Sequence, residues 1–147
     1  MGTIPAYWSC HQELLVEDPP IDLDDPTWPI LTQATSRRAS ARIAAGAAVE
    51  SSLLAPGSRV AGTVSGSVVG RGAIVEAGAV VRDSVLLPGS VVRDGGTVER
   101  AILDDAVEVC GGASVGECGG DIALVGQRAV VTEGMRLAGG GRLPDDD

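Results

Sequence analysis

The chain has 147 residues and a mass of 14.8 kDa, enough for one domain, which excludes a multidomain enzyme within these residues. Hydrophobic residues make up 44% of the chain but aromatic residues only 2%, with no Phe, so a core must be built from Val, Leu, Ile and Ala. The net charge is −9 and every basic residue is Arg, which excludes nucleic-acid backbones and anionic membrane surfaces as favourable partners.

The first predicted element is a short helix from about Ile4 to Val16. Thr3 is a suitable N-cap, and Pro5 is tolerated in a first turn. Five residues share one face of this helix: Ile4, Tyr7, Trp8, His11 and Leu15. The prolines of residues 18–30 predict an extended connector, and Gln33 to Ser40 form a polar linker. Residues 1–42 are therefore predicted to be a helix and an acidic, proline-rich connector that would join another domain.

From residue 43 onward, aliphatic residues recur with steps of five, six and six. The complete triplets are Val64, Val69 and Val75, then Val81, Leu86 and Val92, then Val98, Leu103 and Val109. Six residues are too few for a βαβ unit but suit a short strand followed by a sharp corner. The spacing predicts an all-β fold, a parallel β-helix of hexapeptide repeats with three short strands per coil and five to six coils. Coils stacked about 4.8 Å apart would give a column on the order of 25 Å long.

Glycine stands three residues after the aliphatic in eight repeats, where a corner requires positive φ. These glycines are Gly46, Gly57, Gly72, Gly78, Gly89, Gly95, Gly112 and Gly134. The five-residue side has no such glycine and carries an extra aliphatic column of Leu53, Val68, Val85 and Ile102. The pattern slips near Gly120, where Cys118 to Asp121 predict a loop. The β-helix is predicted over residues 43–138, followed by a disordered acidic tail over residues 139–147.

Few residues of the chain suit catalysis or metal binding. The only histidine, His11, lies outside the repeats, although an acyltransferase of this architecture needs a histidine base. A zinc enzyme of this architecture needs three histidines. Asp104 and Asp105 are neighbours on the chain and would point to opposite faces, which favours a solvated pair. The prediction is no catalytic residue and no metal ligand in this chain.

Cys10, Cys110 and Cys118 form no C-x-x-C motif, so neither a disulfide framework nor a zinc site is predicted. The first residues have no signal-peptide pattern, and no apolar run approaches about 18 residues. We expect a cytoplasmic protein with reduced thiols.

Two tryptophan motifs carry a resemblance to a known family. Gly2-Thr3-Ile4-x-x-Tyr7-Trp8 and Asp25-Pro26-x-Trp28-Pro29-Ile30-x-Thr32 resemble the segment joining the two halves of bacterial ADP-glucose pyrophosphorylases (glucose-1-phosphate adenylyltransferases). The similarity continues through Asp83-Ser84-Val85, Arg100-Ala101-Ile102-Leu103-Asp104 and the last coil, residues 122–134. The resemblance implies a left-handed β-helix, the carboxyl-terminal half of such an enzyme.

In that family the catalytic half precedes this region and carries a G-G-x-G-T-R-L nucleotide loop, a sugar-phosphate lysine and metal-binding aspartates. None of these occurs here, and the chain has no lysine. The resemblance therefore implies an inactive chain without a cofactor of its own, since Mg²⁺ would belong to the catalytic half. The implied partners are a catalytic nucleotidyltransferase domain and further copies of the chain in a homo-oligomer.

The resemblance also implies sites for sugar-phosphate effectors. It places them around Asp104 of the R-A-I-x-D motif and around Arg128 in the last coil. Asp105 and Gln127 stand where basic residues are usual in the family. Arg37, Arg38 and Arg42 form a basic cluster that is either a further effector contact or a solvated linker. Two other functions remain open for the whole chain: an acyltransferase and an oligomerisation scaffold without a ligand.

Overall fold

The computed structural model describes residues 2–30 and 39–144. An α-helix, α1 (Ile4–Gln12), begins where the sequence predicts, and the Thr3 hydroxyl accepts a hydrogen bond from the backbone N–H of Ala6 at 3.3 Å. The helix ends earlier than predicted, and a one-turn 3-10 helix, Glu13–Leu15, follows it. In the connector, the Asp25 carboxylate accepts hydrogen bonds from the backbone N–H and the hydroxyl of Thr27.

Within residues 39–144 the chain forms 18 short strands in three parallel sheets of six strands each, which confirms the predicted β-helix. Sheet A contains β1 (Arg42–Ile43), β4 (Arg59–Val60), β7 (Ile74–Val75), β10 (Val91–Val92), β13 (Glu108–Val109) and β16 (Val130–Val131). Sheet B contains β2 (Ala48–Glu50), β5 (Thr63–Ser65), β8 (Val80–Arg82), β11 (Thr97–Glu99), β14 (Ser114–Val115) and β17 (Arg136–Leu137). Sheet C contains β3 (Leu53–Leu54), β6 (Val68–Val69), β9 (Val85–Leu86), β12 (Ala101–Leu103), β15 (Ala123–Val125) and β18 (Arg142–Leu143).

The core is the stack of aliphatic side chains that the repeat predicts. Val64, Val81 and Val98 occupy equivalent positions on neighbouring strands of sheet B, and each is fully buried. All nine residues of the three complete triplets are fully buried. The inner coils bury their three inward aliphatics against their neighbours, as expected for a solenoid, whereas Ile43 of the first coil is 56% exposed.

The sequence pattern predicted some of the corners of the column and missed others. All eight predicted corner glycines have positive φ. The five-residue side also turns through a positive-φ corner, at Ser51, Gly66, Asp83 and Arg100, three of which are not glycine. A serine follows the first three of these corners. The hydroxyls of Ser52, Ser67 and Ser84 each accept the backbone N–H of the equivalent residue in the next coil, at 3.1–3.2 Å.

Two irregularities and one extension modify the regular column. The step from Val60 to Val64 is two residues shorter than its equivalents, and Gly62 lies in this corner. Ten positions separate Val115 from Val125, because the predicted loop at residues 118–121 is inserted there. The column continues past residue 138, where the pattern predicted its end. Leu143 follows Leu137 by six residues, and β18 pairs with β15.

The outer faces of the three sheets differ in chemistry. On sheet B, Arg82 and Glu99 form an ion pair of 2.8 Å. On sheet A, Arg93 bridges Glu76 and Glu108, both at 2.8 Å, and its hydrogen bond lowers the pKa of Glu76. Sheet C instead presents the aliphatic column noted on the five-residue side of the repeat. Among the described residues, no helix is long and apolar enough to cross a membrane.

Candidate functional site

The outer face of sheet C is where the amino-terminal helix lies. Val85 and Ile102 point outward because their neighbours Leu86 and Leu103 point into the core. With Ile122 they form a small apolar cluster, separate from the core of the column. Ile4, Trp8, Leu87 and Leu124 are half-buried against it. The helix therefore packs on the column itself and shields apolar surface that the column would otherwise expose.

Trp8 anchors the helix at one corner of the column. Its Nε1–H donates a hydrogen bond of 2.7 Å to the carbonyl oxygen of Asp83, the positive-φ residue between β8 and β9. The guanidinium carbon of Arg100, the equivalent corner residue of the next coil, lies 4.5 Å from the centre of the indole ring. The indole therefore combines apolar contact, one hydrogen bond and a cation–π interaction.

Tyr7 borders a largely apolar cleft of about 450 Å³ between α1 and sheet C. Residues 2–4, Leu87, Ile102, Asp104 and Leu124 form the rest of its lining. Burial raises the pKa of Tyr7, and the Asp104 carboxylate raises it further. On the helix, the rings of Tyr7 and His11 have centroids 4.4 Å apart, and His11 Nδ1 lies 2.9 Å from the carbonyl oxygen of Tyr7. His11 thus interacts with its own helix.

A second, more polar cleft of about 380 Å³ lies beside the start of α1. Arg100, Asp121 and Arg142 line it together with Ile4 and Pro5. The Nε of Arg100 is buried, and among the residues that the structure describes it has no hydrogen-bond acceptor. This cleft therefore places three charged residues, Arg100, Asp121 and Arg142, beside the helix.

The predicted effector residues that the structure describes lie at two places on the column. Arg42 lies on β1, at the first coil, whereas Asp104 follows β12 and Arg128 lies between β15 and β16. Asp104 and Arg128 are on adjacent coils, because the N–H of Arg128 donates to the carbonyl oxygen of Asp105 at 2.9 Å. Arg42 is about four strand spacings away along the column, on the order of 20 Å. Arg37 and Arg38 lie outside the described residues.

Sequence reasoning missed three residues that matter at this surface: Asp83, Arg100 and Asp121. The sequence did contain a signal for this surface. An outward aliphatic column on one side of a solenoid indicates that another segment packs on it and shields it from water. The amino-terminal helix, which carries Tyr7 and Trp8, was the available cover. Within residues 2–30 and 39–144, the structure has no group of three or more His, Cys, Asp and Glu residues that could hold a metal ion.

Comparison with known families agrees with this architecture. A family model described as GlmU-like, C-terminal hexapeptide matches residues 35–137. The chain belongs to this family. The resemblance to the carboxyl-terminal column of ADP-glucose pyrophosphorylases is also confirmed by curated relatives of this hexapeptide domain.

Three such relatives are named glucose-1-phosphate adenylyltransferase. The protein from Corynebacterium jeikeium is 34% identical over 117 residues, which cover 79% of this chain and 29% of that protein. The protein from Corynebacterium efficiens is 40% identical over 77 residues, covering 52% of this chain and 19% of the relative. The protein from Thermotoga maritima is 37% identical over 82 residues, with coverage of 52% and 19%. The hexapeptide domain thus spans less than a third of each of these relatives.

Proposed function

We propose that this hexapeptide domain is the carboxyl-terminal oligomerisation and regulatory part of a cytoplasmic glucose-1-phosphate adenylyltransferase-like protein. Such a protein would convert ATP and glucose 1-phosphate to ADP-glucose for glycogen or starch synthesis. The observation that carries the proposal is the match to relatives of that name over 79% of this chain but only 29% of the relative. The remaining 71% of the relative's length would hold the proposed catalytic half.

We propose that these 147 residues contribute no catalytic group. Transfer of a nucleotidyl group requires a metal ion between phosphates and carboxylates, and commonly a lysine that binds the phosphate. The sequence has no lysine and no glycine-rich nucleotide loop. The chain's role would then be association and regulation.

The connector is the proposed contact with a catalytic domain. Its large apolar side chains are exposed, and Trp28 is 79% exposed. The others are Ile21, Leu23 and Ile30, each between 47% and 58% exposed, and Val16, just before the connector, is 54% exposed. A soluble protein rarely leaves so many large apolar groups of one short segment in water. Contact with a partner surface would bury them.

The proposed regulatory contacts are those of the adjacent coils. Asp104 and Arg128 lie on adjacent coils and would act on one ligand, whereas Arg42 belongs to a different part of the column. A sugar-phosphate effector would raise the melting temperature of the domain by linkage. A thermal-shift series with fructose bisphosphate, phosphoglycerate, pyruvate and AMP tests this point. No shift with any of the four would contradict the regulatory half of the proposal.

A chimera tests the function directly. The region of the Corynebacterium jeikeium enzyme matched by this chain is deleted in one protein and replaced by this chain in another. We expect release of pyrophosphate from ATP and glucose 1-phosphate to fall on deletion and to recover in the chimera. The isolated chain should release none.

Two variants of the chimera make the test specific. Trp28→Ser removes the most exposed apolar side chain of the connector and should reduce the recovered activity. Met135→Ser removes a 36% exposed apolar side chain from the column and should leave the activity unchanged. Pyrophosphate release by the isolated chain, or a chimera no more active than the deletion, would refute the proposed function.

A further inference from the structure

The outer surface of sheet A carries two columns of side chains that are in register from coil to coil. The first column, in coil order, is Arg42, Arg59, Ile74, Val91, Glu108 and Val130. The second column, two residues further along the chain, is Ala44, Ala61, Glu76, Arg93, Cys110 and Thr132. Both columns face outward, because the aliphatic residue between them points into the column of coils. These two columns together are the sheet A face.

Positive charge without a partner is concentrated at the first-coil end of the sheet A face. Arg42 and Arg59 are exposed and are neighbours in register on β1 and β4. Like charges at paired strand positions repel each other. Within residues 2–30 and 39–144, neither arginine has an ion-pair partner. Carboxylates from another molecule would therefore stabilise this end of the face.

A carboxylate stands at the matching position of the other half of the face. Glu108 lies on the fifth coil, as far from the middle of the face as Arg59 on the second coil. Arg93 binds Glu108 at 2.8 Å, yet the Glu108 side chain remains 37% exposed. Ile74 and Val91, both half-buried, occupy the two middle coils. The order positive, apolar, apolar, negative is therefore complementary to its own reverse.

A second copy of the chain, laid face to face with its coil order reversed, would satisfy these groups. Arg59 would lie opposite the second copy's Glu108, and the twofold axis would repeat this contact in the other direction. Ile74 would meet the second copy's Val91 at the centre. The same coil order in both copies would instead bring four arginines together, which like-charge repulsion opposes.

The shape of the sheet A face fits the same arrangement. A shallow groove of about 720 Å³ covers its first three coils, where the second column consists of the small Ala44 and Ala61 and then Glu76. With the coil order reversed, the two alanines would lie opposite the larger Thr132 and Cys110 of the second copy. Side chains from the last three coils of each copy would therefore fill the groove of the other.

We propose that the sheet A face is an interface with a second copy of this chain, packed with reversed coil order. The face is five strand spacings long, on the order of 24 Å, and a stable interface commonly buries about 800 Å² per partner. A face of this length predicts a weak dimer whose dissociation constant rises with salt, because its charges are exposed. The inference rests on the oligomerisation part of the proposed function and deepens it by naming the surface.

Sedimentation equilibrium of this chain alone, from micromolar to millimolar concentration, measures the dimer without a catalytic domain or substrate. We expect the parent protein to show a monomer–dimer equilibrium. Arg59→Glu places two carboxylates at each of the two symmetric contacts, and Glu108→Arg places two guanidinium groups there. Each variant alone should raise the dissociation constant on the order of tenfold or more, because both contacts become repulsive. Arg136→Glu reverses an exposed arginine on sheet B and is the matched control, which should dimerise as the parent does.

A mixture of the two variants tests the reversed coil order itself. Equal amounts of the Arg59→Glu and Glu108→Arg chains should form a mixed dimer about as readily as the parent, because both contacts again join opposite charges. Recovery in the mixture also excludes misfolding as the cause of the loss, since a misfolded chain would not regain a partner.

Four results would overturn the proposal. One is a parent protein that stays monomeric up to millimolar concentration. Equal dissociation constants of the parent and Arg59→Glu proteins would place the dimer on another surface, and equal weakening by Arg136→Glu would show a general response to charge. Two weakened variants that do not recover when mixed would refute the reversed coil order. None of these results bears on the chimera, whose activity tests the proposed function separately.

Discussion

The indole Nε1–H of Trp8 donates a hydrogen bond of 2.7 Å to the carbonyl oxygen of Asp83, 75 residues further along the chain. This bond joins the amino-terminal helix to a corner of the column that is formed without glycine. It gives the helix a defined position over Val85 and Ile102, because the acceptor is a backbone atom of the rigid repeat. The helix and the column therefore form one structural unit, with two clefts between them.

Trp8→Phe should weaken the docking of α1 without unfolding the column. The variant retains an aromatic ring for Arg100 but loses the hydrogen bond, at a cost of about 1 kcal/mol. Amide hydrogen exchange in α1 should become about fivefold faster as a result. Trp28→Phe, at a 79% exposed position, is the control and should not change the exchange. Equal rates in both variants would show that the bond does not hold the helix.

Tyr7 should make helix docking sensitive to alkaline pH. Burial and the Asp104 carboxylate raise its pKa above the ordinary 10.0, so the docked state favours the neutral phenol. The docking contribution is then full below pH 10.0 and is lost as the pH rises through the raised pKa of the docked state. Tyr7 is the only tyrosine, so the absorbance of tyrosinate reports it alone.

Asp104→Asn separates the two causes of this shift. The pKa of Tyr7 should fall but stay above 10.0, because burial is the larger cause and remains. Asp105→Asn is the matched control and should leave the titration unchanged. A Tyr7 titration identical in parent and Asp104→Asn proteins would contradict the placement of the carboxylate near the phenol.

The serine ladder should contribute to the stability of the column. Ser84 is fully buried, and its hydroxyl donates to the carbonyl of Arg82 and accepts the N–H of Ala101. Ser84→Ala leaves that N–H without an acceptor and should lower the free energy of unfolding by about 1–3 kcal/mol. Ser52→Ala, at a half-exposed rung of the same ladder, should cost less because water can replace the hydroxyl. Urea unfolding with an unchanged m-value measures both; equal costs would contradict this account.

The short corner at Gly62 should not accept a side chain. A methyl group there would overlap the carbonyl oxygens of Glu76 and Ala79 in the next coil. Gly62→Ala should lower the free energy of unfolding by about 1–3 kcal/mol, the range for overpacking. Gly134→Ala separates steric overlap from backbone strain, since Gly134 has φ of +73° but open space around it. Its cost should be about 1 kcal/mol, from the positive φ alone. A milder effect at Gly62 than at Gly134 would be contrary to the observed packing.

The column was predictable because its period is local. The five, six and six spacing assigns Val98, Leu103 and Val109 to three walls, and all three are fully buried. The corner glycines were predictable for the same reason. The corner at Asp83 and Arg100 was not, because these residues adopt positive φ without being the residue type that signals it.

The candidate sites depend on contacts that no local pattern encodes. The approach of Trp8 to Asp83 and Arg100 joins residues far apart in sequence, and the period of the repeat does not specify it. Arg42 was grouped with Arg37 and Arg38 by proximity in sequence, and the sequence could not show that it lies on β1, several coils from Arg128. In a solenoid, two residues are close in space when they lie on the same side of adjacent coils, so the number of coils between them sets their distance.

The central claim is that this unit acts by associating with a catalytic domain. The masses of the species that form when the two proteins are mixed test it directly. The chain is mixed with the Corynebacterium jeikeium enzyme lacking its matched region, and the species are separated and weighed by light scattering. The account predicts a complex containing both chains in multiple copies. Two separate species, with each chain eluting at its own mass at every concentration, would contradict it.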